Sequence, residues 1–86
     1  MYRPKDGIIE TDLGEELILL DPTTQEMFSL NATGRAVWRM LSDHDPADVA
    51  AAISDHFAVD AKQAEDDVRD LIDRLLEAEL LETGGP

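Results

Sequence analysis

The stretch Gln25–Leu41, QEMFSLNATGRAVWRML, decides the fold because a strand must end and a helix begin inside it. It holds a short apolar run before Asn31, and after Asn31 its apolar residues follow helical spacing. Asn31 suits an N-cap, because its side-chain oxygen can accept from the free N–H groups of the first helical turn. The junction therefore predicts β structure on its N-terminal side and helices on its C-terminal side.

Three strands are predicted up to this junction. Gly7–Leu13 contains β-branched residues and is followed by a glycine suited to a turn. Glu16–Leu20 is an apolar run too short for a helix, which predicts a buried central strand. Asp21-Pro22 suits a type I turn into the third strand, Gln25–Leu30. The short connections predict an antiparallel meander in the order 1-2-3, with the third strand on an edge.

Three helices are predicted after the junction. The first covers about Ala32–Ser42, and the second covers Pro46–His56 behind an aspartate cap. The third, residues 61–79, is expected to start with Asp60 as its cap and Gln63 completing a capping box. Its apolar residues follow helical spacing, and they are Ala64, Val68, Leu71, Ile72, Leu75, Leu76 and Leu80. On its surface, Glu65–Arg69 and Asp70–Arg74 are spaced for ion pairs.

The whole chain, residues 1–86, is predicted to be one domain. Met1–Asp6 and residues 83–86 are expected to be flexible ends. The sequence has no cysteine, which excludes disulfides and thiolate metal sites. No apolar run reaches the ~18 residues that a membrane span needs, and the polar N-terminus does not resemble a signal peptide. These features predict a cytoplasmic protein.

The net charge of −13, from 20 acidic and 7 basic residues, restricts the partners. Nucleic-acid-binding domains neutralise phosphates with Lys and Arg, so neither nucleic acid nor an anionic membrane is expected to bind. The acidic residues either keep a small protein dissolved or attract a cationic partner or peptide. The sequence leaves both interpretations open.

No pattern of residues predicts catalysis. The only histidines, His44 and His56, belong to no cluster with metal-ligand spacing. Ser42-Asp43-His44 contains the residue types of a catalytic triad, but adjacent residues cannot converge as triad members do. We therefore expect a protein that is not an enzyme and holds no metal or cofactor.

The predicted edge strand offers a different kind of site. Its unpaired backbone groups can accept an added strand. If part of the apolar arc of the third helix lies uncovered beside it, the two form a groove. The alternative, in which the whole arc is core, is equally compatible with the pattern.

Three segments, taken in order, resemble the PqqD-like family, the recognition elements for ribosomally synthesised and post-translationally modified precursor peptides. They are LLDPTTQEMFSLNATGRAVWRMLSD (19–43), DVAAAISDHF (48–57) and EDDVRDLIDRLLEAELLE (65–82). Within the family, Leu30–Gly34, together with Phe57 and Val59 before Asp67-Val68, is most similar to the stand-alone leader-binding proteins of lasso-peptide biosynthesis. The resemblance implies an α+β, winged-helix-like fold with a three-stranded antiparallel sheet followed by three helices.

The resemblance also implies a function. Family members bind the leader of a precursor peptide as a strand added to the third strand and packed against the third helix. In the lasso case they deliver it to a cysteine protease that removes the leader. Carried over by position, the peptide-binding residues would be Glu26, Met27, Phe28, Ser29, Leu30, Asp67, Val68, Leu71, Arg74 and Leu75. Apart from the resemblance, an edge strand can pair between copies, so the protein is expected to be a monomer or a weak dimer.

Two alternatives remain open. One is a peptide chaperone of pyrroloquinoline quinone biosynthesis that partners a radical SAM enzyme. The other is a winged-helix DNA-binding regulator, which the negative charge disfavours. The chain also departs from the family at Gln25, His44 and Glu79, where family members often have glycine.

Overall fold

The computed structural model describes residues 2–83. They form a three-stranded antiparallel sheet, three helices and a two-stranded antiparallel ribbon. The elements in chain order are β1 (Tyr2–Pro4), β2 (Ile9–Asp12), β3 (Leu17–Asp21), β4 (Glu26–Leu30), α1 (Ala32–Met40), α2 (Pro46–His56), α3 (Ala61–Glu77) and β5 (Leu81–Thr83). The α+β class and the order of three sheet strands before three helices confirm the prediction.

The sheet is the predicted meander, ordered β2-β3-β4, so β4 lies on an edge. Leu17 pairs with Leu30, and Leu19 pairs with Phe28. Because side chains alternate between the faces of a strand, these four residues share one face of the sheet. Leu17 and Leu19 are fully buried there, and this face packs into the core.

The core is completed by all three helices. Trp38 of α1, Ile53 of α2 and Leu75 of α3 are each buried. On the outer side of α1, Arg35 and Arg39 form ion pairs with Asp12 at 2.7 and 2.8 Å. Hydrogen bonds, first from Arg35, then from the Gly14 N–H and Arg39, hold the pKa of the Asp12 carboxyl well below its usual range. This cluster ties α1 to the sheet.

Two helix caps confirm the predictions and one does not. The Gly34 N–H donates to Oδ1 of Asn31 at 2.9 Å, and Asp45 accepts likewise from the N–H of Asp48 at 3.1 Å. Asp60 makes no side-chain cap to α3, so the predicted capping box is wrong. The Gln63 side chain instead donates to its neighbour one turn on, Asp67.

The ribbon of β1 and β5 was not predicted. Tyr2 pairs with Thr83, and Pro4 pairs with Leu81. The expectation of a loose Met1–Asp6 is therefore wrong for Tyr2–Pro4, and Thr83 belongs to a strand rather than to a tail. A three-residue strand is too short to show alternation, and its partner lies at the other end of the chain. Met1 and residues 84–86 of the expected flexible ends lie outside the described residues.

Gln25 and Glu79 have positive φ angles, 64° and 60°. Both are positions where the family that the sequence resembles is expected to have glycine, which adopts this region without steric penalty. Glu79 follows the last turn of α3, so the helix ends at Glu77, before the predicted Glu79. His44, the third such position, is not among the residues with positive φ.

Replacing Gln25 or Glu79 with glycine is expected to stabilise the fold. The left-handed backbone costs a non-glycine residue roughly 1–2 kcal/mol, and the greater unfolded-state entropy of glycine offsets about half of that. We expect a gain of about 0.5–1 kcal/mol per site in urea denaturation. Glu65→Gly, in the right-handed interior of α3, is the control and should instead lose about 1 kcal/mol. Destabilisation at all three sites would contradict the backbone argument.

An ion pair joins the N-terminal segment to the β3–β4 hairpin. Nζ of Lys5 donates to Oδ2 of the buried Asp21 at 2.9 Å, and the Thr23 N–H donates to its Oδ1 at 2.9 Å. These hydrogen bonds, from Lys5 first, lower the pKa of the Asp21 carboxyl. The pair fastens the segment after β1 against the sheet.

The Asp21 ion pair predicts a loss of stability in acid. Because the folded pKa is below the unfolded value of about 3.9, the carboxylate stabilises the fold above that pH. The contribution is lost as the pH falls through the folded pKa. Asp21→Asn should therefore destabilise at neutral pH, and its difference from wild type in urea midpoint should shrink as the solution becomes acidic. Asp55→Asn, at an exposed helix position, is the control; a pH-independent effect of Asp21→Asn would contradict the assignment.

Candidate functional site

The hydrogen bonding of β3 determines which backbone groups of its neighbour β4 are free. At the β2–β3 hairpin, the Leu13 N–H donates to the carbonyl of Glu16 at 2.9 Å. Hydrogen-bonded and non-hydrogen-bonded pairs alternate in an antiparallel ladder. Leu17 and Leu19 therefore direct their backbone groups away from β2 and toward β4.

This alternation determines which backbone groups of β4 remain unpaired. Phe28 and Leu30 lie opposite Leu19 and Leu17 and use their N–H and C=O groups in the sheet. Met27 and Ser29, which alternate with them, direct theirs to the free edge. An extended peptide added there would find two donors and two acceptors at the spacing of a β ladder.

A groove of about 550 Å³ runs beside this edge. Its strand wall is formed by Phe28, Ser29, Leu30 and Asn31, and the facing wall by α3. The residues of the α3 wall are Asp67, Val68, Asp70, Leu71 and Arg74. Between the walls lie apolar side chains from the helical layer, Val37 and Ile53, and from the α2–α3 connection, Val59. The groove thus combines an unpaired strand edge with an apolar floor.

Arg74 connects the two walls. Its guanidinium carbon lies 5.4 Å from the centroid of the Phe28 ring, within range of a cation–π contact. The expected Asp70–Arg74 and Glu65–Arg69 pairs are not among the ion pairs of residues 2–83; Arg69 instead lies 3.9 Å from Asp66. The guanidinium is therefore held against an aromatic ring inside the groove and is in no ion pair within the described part of the chain.

The predicted peptide-binding residues divide into two groups. Those that line the groove are Phe28, Ser29, Leu30, Asp67, Val68, Leu71 and Arg74. Leu75 does not line it and is fully buried in the core. Met27 is 69% exposed, and because side chains alternate along β4 it faces away from the helices. Glu26 lies at the exposed hairpin end of β4, outside the groove lining.

Several groove residues were not predicted. They are Glu16, Asn31, Thr33, Gly34, Val37, Ile53, Val59 and Asp70. Gly34 lies where α1 closely approaches β4: a Cβ at this position would lie 3.3 Å from the side chain of Leu30. Glu16, Ile53 and Val59 come from parts of the chain distant in sequence from β4 and α3, so no periodicity within one element could have assigned them to the groove. Asp70, by contrast, lies at helical spacing from Asp67 and Arg74 and could have been found from the sequence.

The other features of the described residues give weaker indications of a functional site. A second cavity of about 300 Å³ lies on the opposite side of α3, between Tyr2, Ala50 and Ile72. No group of three or more His, Cys, Asp or Glu side chains within residues 2–83 is arranged to hold a metal ion. No helix in that range is long and apolar enough to cross a membrane.

Comparisons with known proteins relate the whole fold to characterised structures. The family model for coenzyme PQQ synthesis protein D (PqqD) matches residues 16–81. The structure of TbiB1 in complex with the TbiA(beta) leader peptide is 29% identical, with a TM-score of 0.85 over 98% of this chain and 99% of that one. A lasso peptide synthetase B1 complexed with the leader peptide is 30% identical, with a TM-score of 0.83 over 95% and 98% of the chains. No curated protein sequence matches the chain.

Proposed function

The chain belongs to the family of coenzyme PQQ synthesis protein D, and from this membership we propose that it binds the leader of a ribosomally made precursor peptide without catalysing a reaction. The observation that carries the proposal is an unpaired β4 edge beside a groove with an apolar floor, in a fold similar to two proteins solved with a leader peptide. Similarity over nearly the full length of both chains supports the same role for this one.

We propose strand addition as the mode of binding. The leader would extend along Glu26–Leu30 and exchange hydrogen bonds with the outward N–H and C=O groups of Met27 and Ser29. Every second leader side chain would then enter the groove and pack against Leu71 and Val68 of α3. Backbone hydrogen bonds would supply affinity for any extended segment, and the shape and charge of the groove would select the sequence.

Delivery to a maturation enzyme completes the proposal. One of the two leader-bound proteins that this chain resembles is a lasso peptide synthetase B1. We therefore propose that this protein presents the leader to a cysteine protease that removes it. No metal or cofactor is needed, because the work is binding and presentation. The protein would act as a monomer or weak dimer.

Pyrroloquinoline quinone biosynthesis is the second candidate, and the description of the matching family model favours it. The physics of leader binding would be the same, but the partner would be a radical SAM enzyme. The DNA-binding alternative has no such support. Two of the basic residues of α3, Lys62 and Arg69, each lie 3.9 Å from the Asp66 carboxylate.

A binding titration tests the proposal. The protein is added to fluorescently labelled leader of a lasso precursor from the same biosynthetic cluster, with a scrambled leader and the leader of the quinone precursor as controls. Saturable binding of the lasso leader alone is expected. Selective binding of the quinone leader would transfer the assignment to the second candidate, and binding of neither would contradict leader recognition by the isolated protein.

A further inference from the structure

One end of the groove carries a positive charge. Among the residues that the structure describes, Arg74 is the only basic one in the groove lining, and its guanidinium carbon lies 5.4 Å from the centroid of the Phe28 ring. Arg74 is exposed and is in no ion pair within residues 2–83, although the protein has 20 acidic residues. A guanidinium stacked on an aromatic face keeps its edge N–H groups available to a carboxylate.

The other end carries negative charge. Asp67 lies two turns before Arg74 on α3, about 10 Å away along the helix axis. The groove is lined by Phe28 to Asn31 but not by Glu26 or Met27, so from Arg74 it extends toward the C-terminal end of β4. Glu16 lies at that same end, because it precedes Leu17, the partner of Leu30. Asp70 lines the helix wall between the two ends.

These charges restrict the orientation of any extended peptide in the groove. A strand advances about 3.3 Å per residue, and side chains on one face recur every second residue. Two side chains that reach Arg74 and Asp67 are therefore two or four residues apart. A peptide bound in the reverse orientation would place like charges together at both ends, which is unfavourable.

We infer that the leader recognised by this protein carries an acidic side chain that pairs with Arg74 and, two or four residues away, a basic side chain that pairs with Asp67 and Glu16. The inference rests on the proposed leader binding and adds the charge pattern and direction of the leader. The apolar floor and strand edge hold the peptide, and the two charged ends select its register. The net charge of −13 on the protein further favours a leader whose basic residues outnumber its acidic ones.

A charge scan tests this pattern. Each position of the labelled leader is replaced in turn by Asp and by Lys, and binding is measured with wild type, Arg74→Glu and Asp67→Lys. Both side chains are exposed, so neither change removes core packing. In wild type, one position should prefer Asp and another, two or four residues away, should prefer Lys, each by about 3- to 10-fold at low salt.

The variants should reverse these preferences one position at a time. Arg74→Glu should reverse only the Asp-preferring position, and Asp67→Lys only the Lys-preferring position. Arg69→Glu and Asp73→Lys are the matched controls, because they make the same charge changes on α3 but line the cavity on its other side. The controls should shift affinity equally at all leader positions.

Two results would overturn the inference in distinguishable ways. If the leader binds but neither groove variant reverses a preference, or the controls reverse it as well, the charge pattern is wrong and leader binding stands. If no leader peptide binds wild type at all, the proposed function fails and the inference fails with it.

Discussion

Leu75→Ala is expected to lower the free energy of unfolding by about 3–4 kcal/mol, near the middle of the range for a buried leucine. Leu75 is fully buried and sits in the core cluster with Val68 and Ile72. Removing its side chain leaves a cavity that the surrounding helices cannot fill. For a small domain with a total stability of about 5–15 kcal/mol this is a severe loss. Urea denaturation measures it directly.

The neighbouring Leu71 provides the contrast. It is half-buried, packs against the edge of the core and lines the groove. Leu71→Asp should weaken leader binding by more than about 10-fold, because a carboxylate replaces apolar contact with the leader, while most of the protein remains folded. Circular dichroism and leader titration on the same samples separate the two effects. Loss of leader affinity in a stably folded Leu75→Ala protein would contradict the placement of Leu75 in the core.

Ser29→Pro is expected to reduce leader affinity by about 10-fold or more, through the loss of one backbone donor and the intrusion of the ring at the edge. The N–H of Ser29 points away from β3, so the sheet itself loses no hydrogen bond and the fold should persist. Ser29→Ala is the matched control, because it removes the hydroxyl and keeps the N–H.

The comparison of these two variants isolates the backbone contribution. Ser29→Ala should bind the leader within about two-fold of wild type, since its hydroxyl has no assigned role in strand addition. Equal affinity of folded Ser29→Pro and Ser29→Ala would rule out the Ser29 N–H as a donor to the leader. Leader binding would then have to depend on the Met27 N–H, the two outward carbonyls or side chains.

The sequence predicts those parts of the fold that depend on local chemistry. Asn31 caps α1 because its side chain and the Gly34 N–H are three residues apart, a spacing visible in the sequence. The β3–β4 hairpin follows from the Asp-Pro turn and the apolar run before it. The edge position of β4 follows in turn from the short connections.

The parts that the sequence did not predict depend on contacts between distant residues. Val68, Leu71 and Leu75 all belong to one apolar stripe of α3, and only the packing of the other elements divides them between core and groove. The spacing of Asp70 and Arg74 favours a pair on the helix surface, but Phe28 of β4 provides a competing aromatic face. Local periodicity contains no information about the packing of the other elements or about the position of the Phe28 ring.

The backbone conformation at Gln25 and Glu79 is another feature that the residue types alone do not predict. Glutamine and glutamate are not typical of positive φ, so the residues themselves gave no sign of the left-handed turns that the structure has there. The resemblance to the family indicated unusual positions, because glycine is frequent at both. Gln25 takes part in the hairpin into β4 in this conformation, and its N–H donates to the carbonyl of Asp21 at 2.7 Å.

Amide hydrogen exchange at the β4 edge, measured by NMR with and without the leader, tests the central claim most directly. In the free protein, the Met27 and Ser29 amides should exchange rapidly, because no strand covers them, whereas the Phe28 amide should be protected by β3. Saturating leader should slow exchange at Met27 and Ser29 and leave Phe28 little changed. If the leader binds while both edge amides keep exchanging rapidly, it does not add to β4, and the account of recognition is wrong.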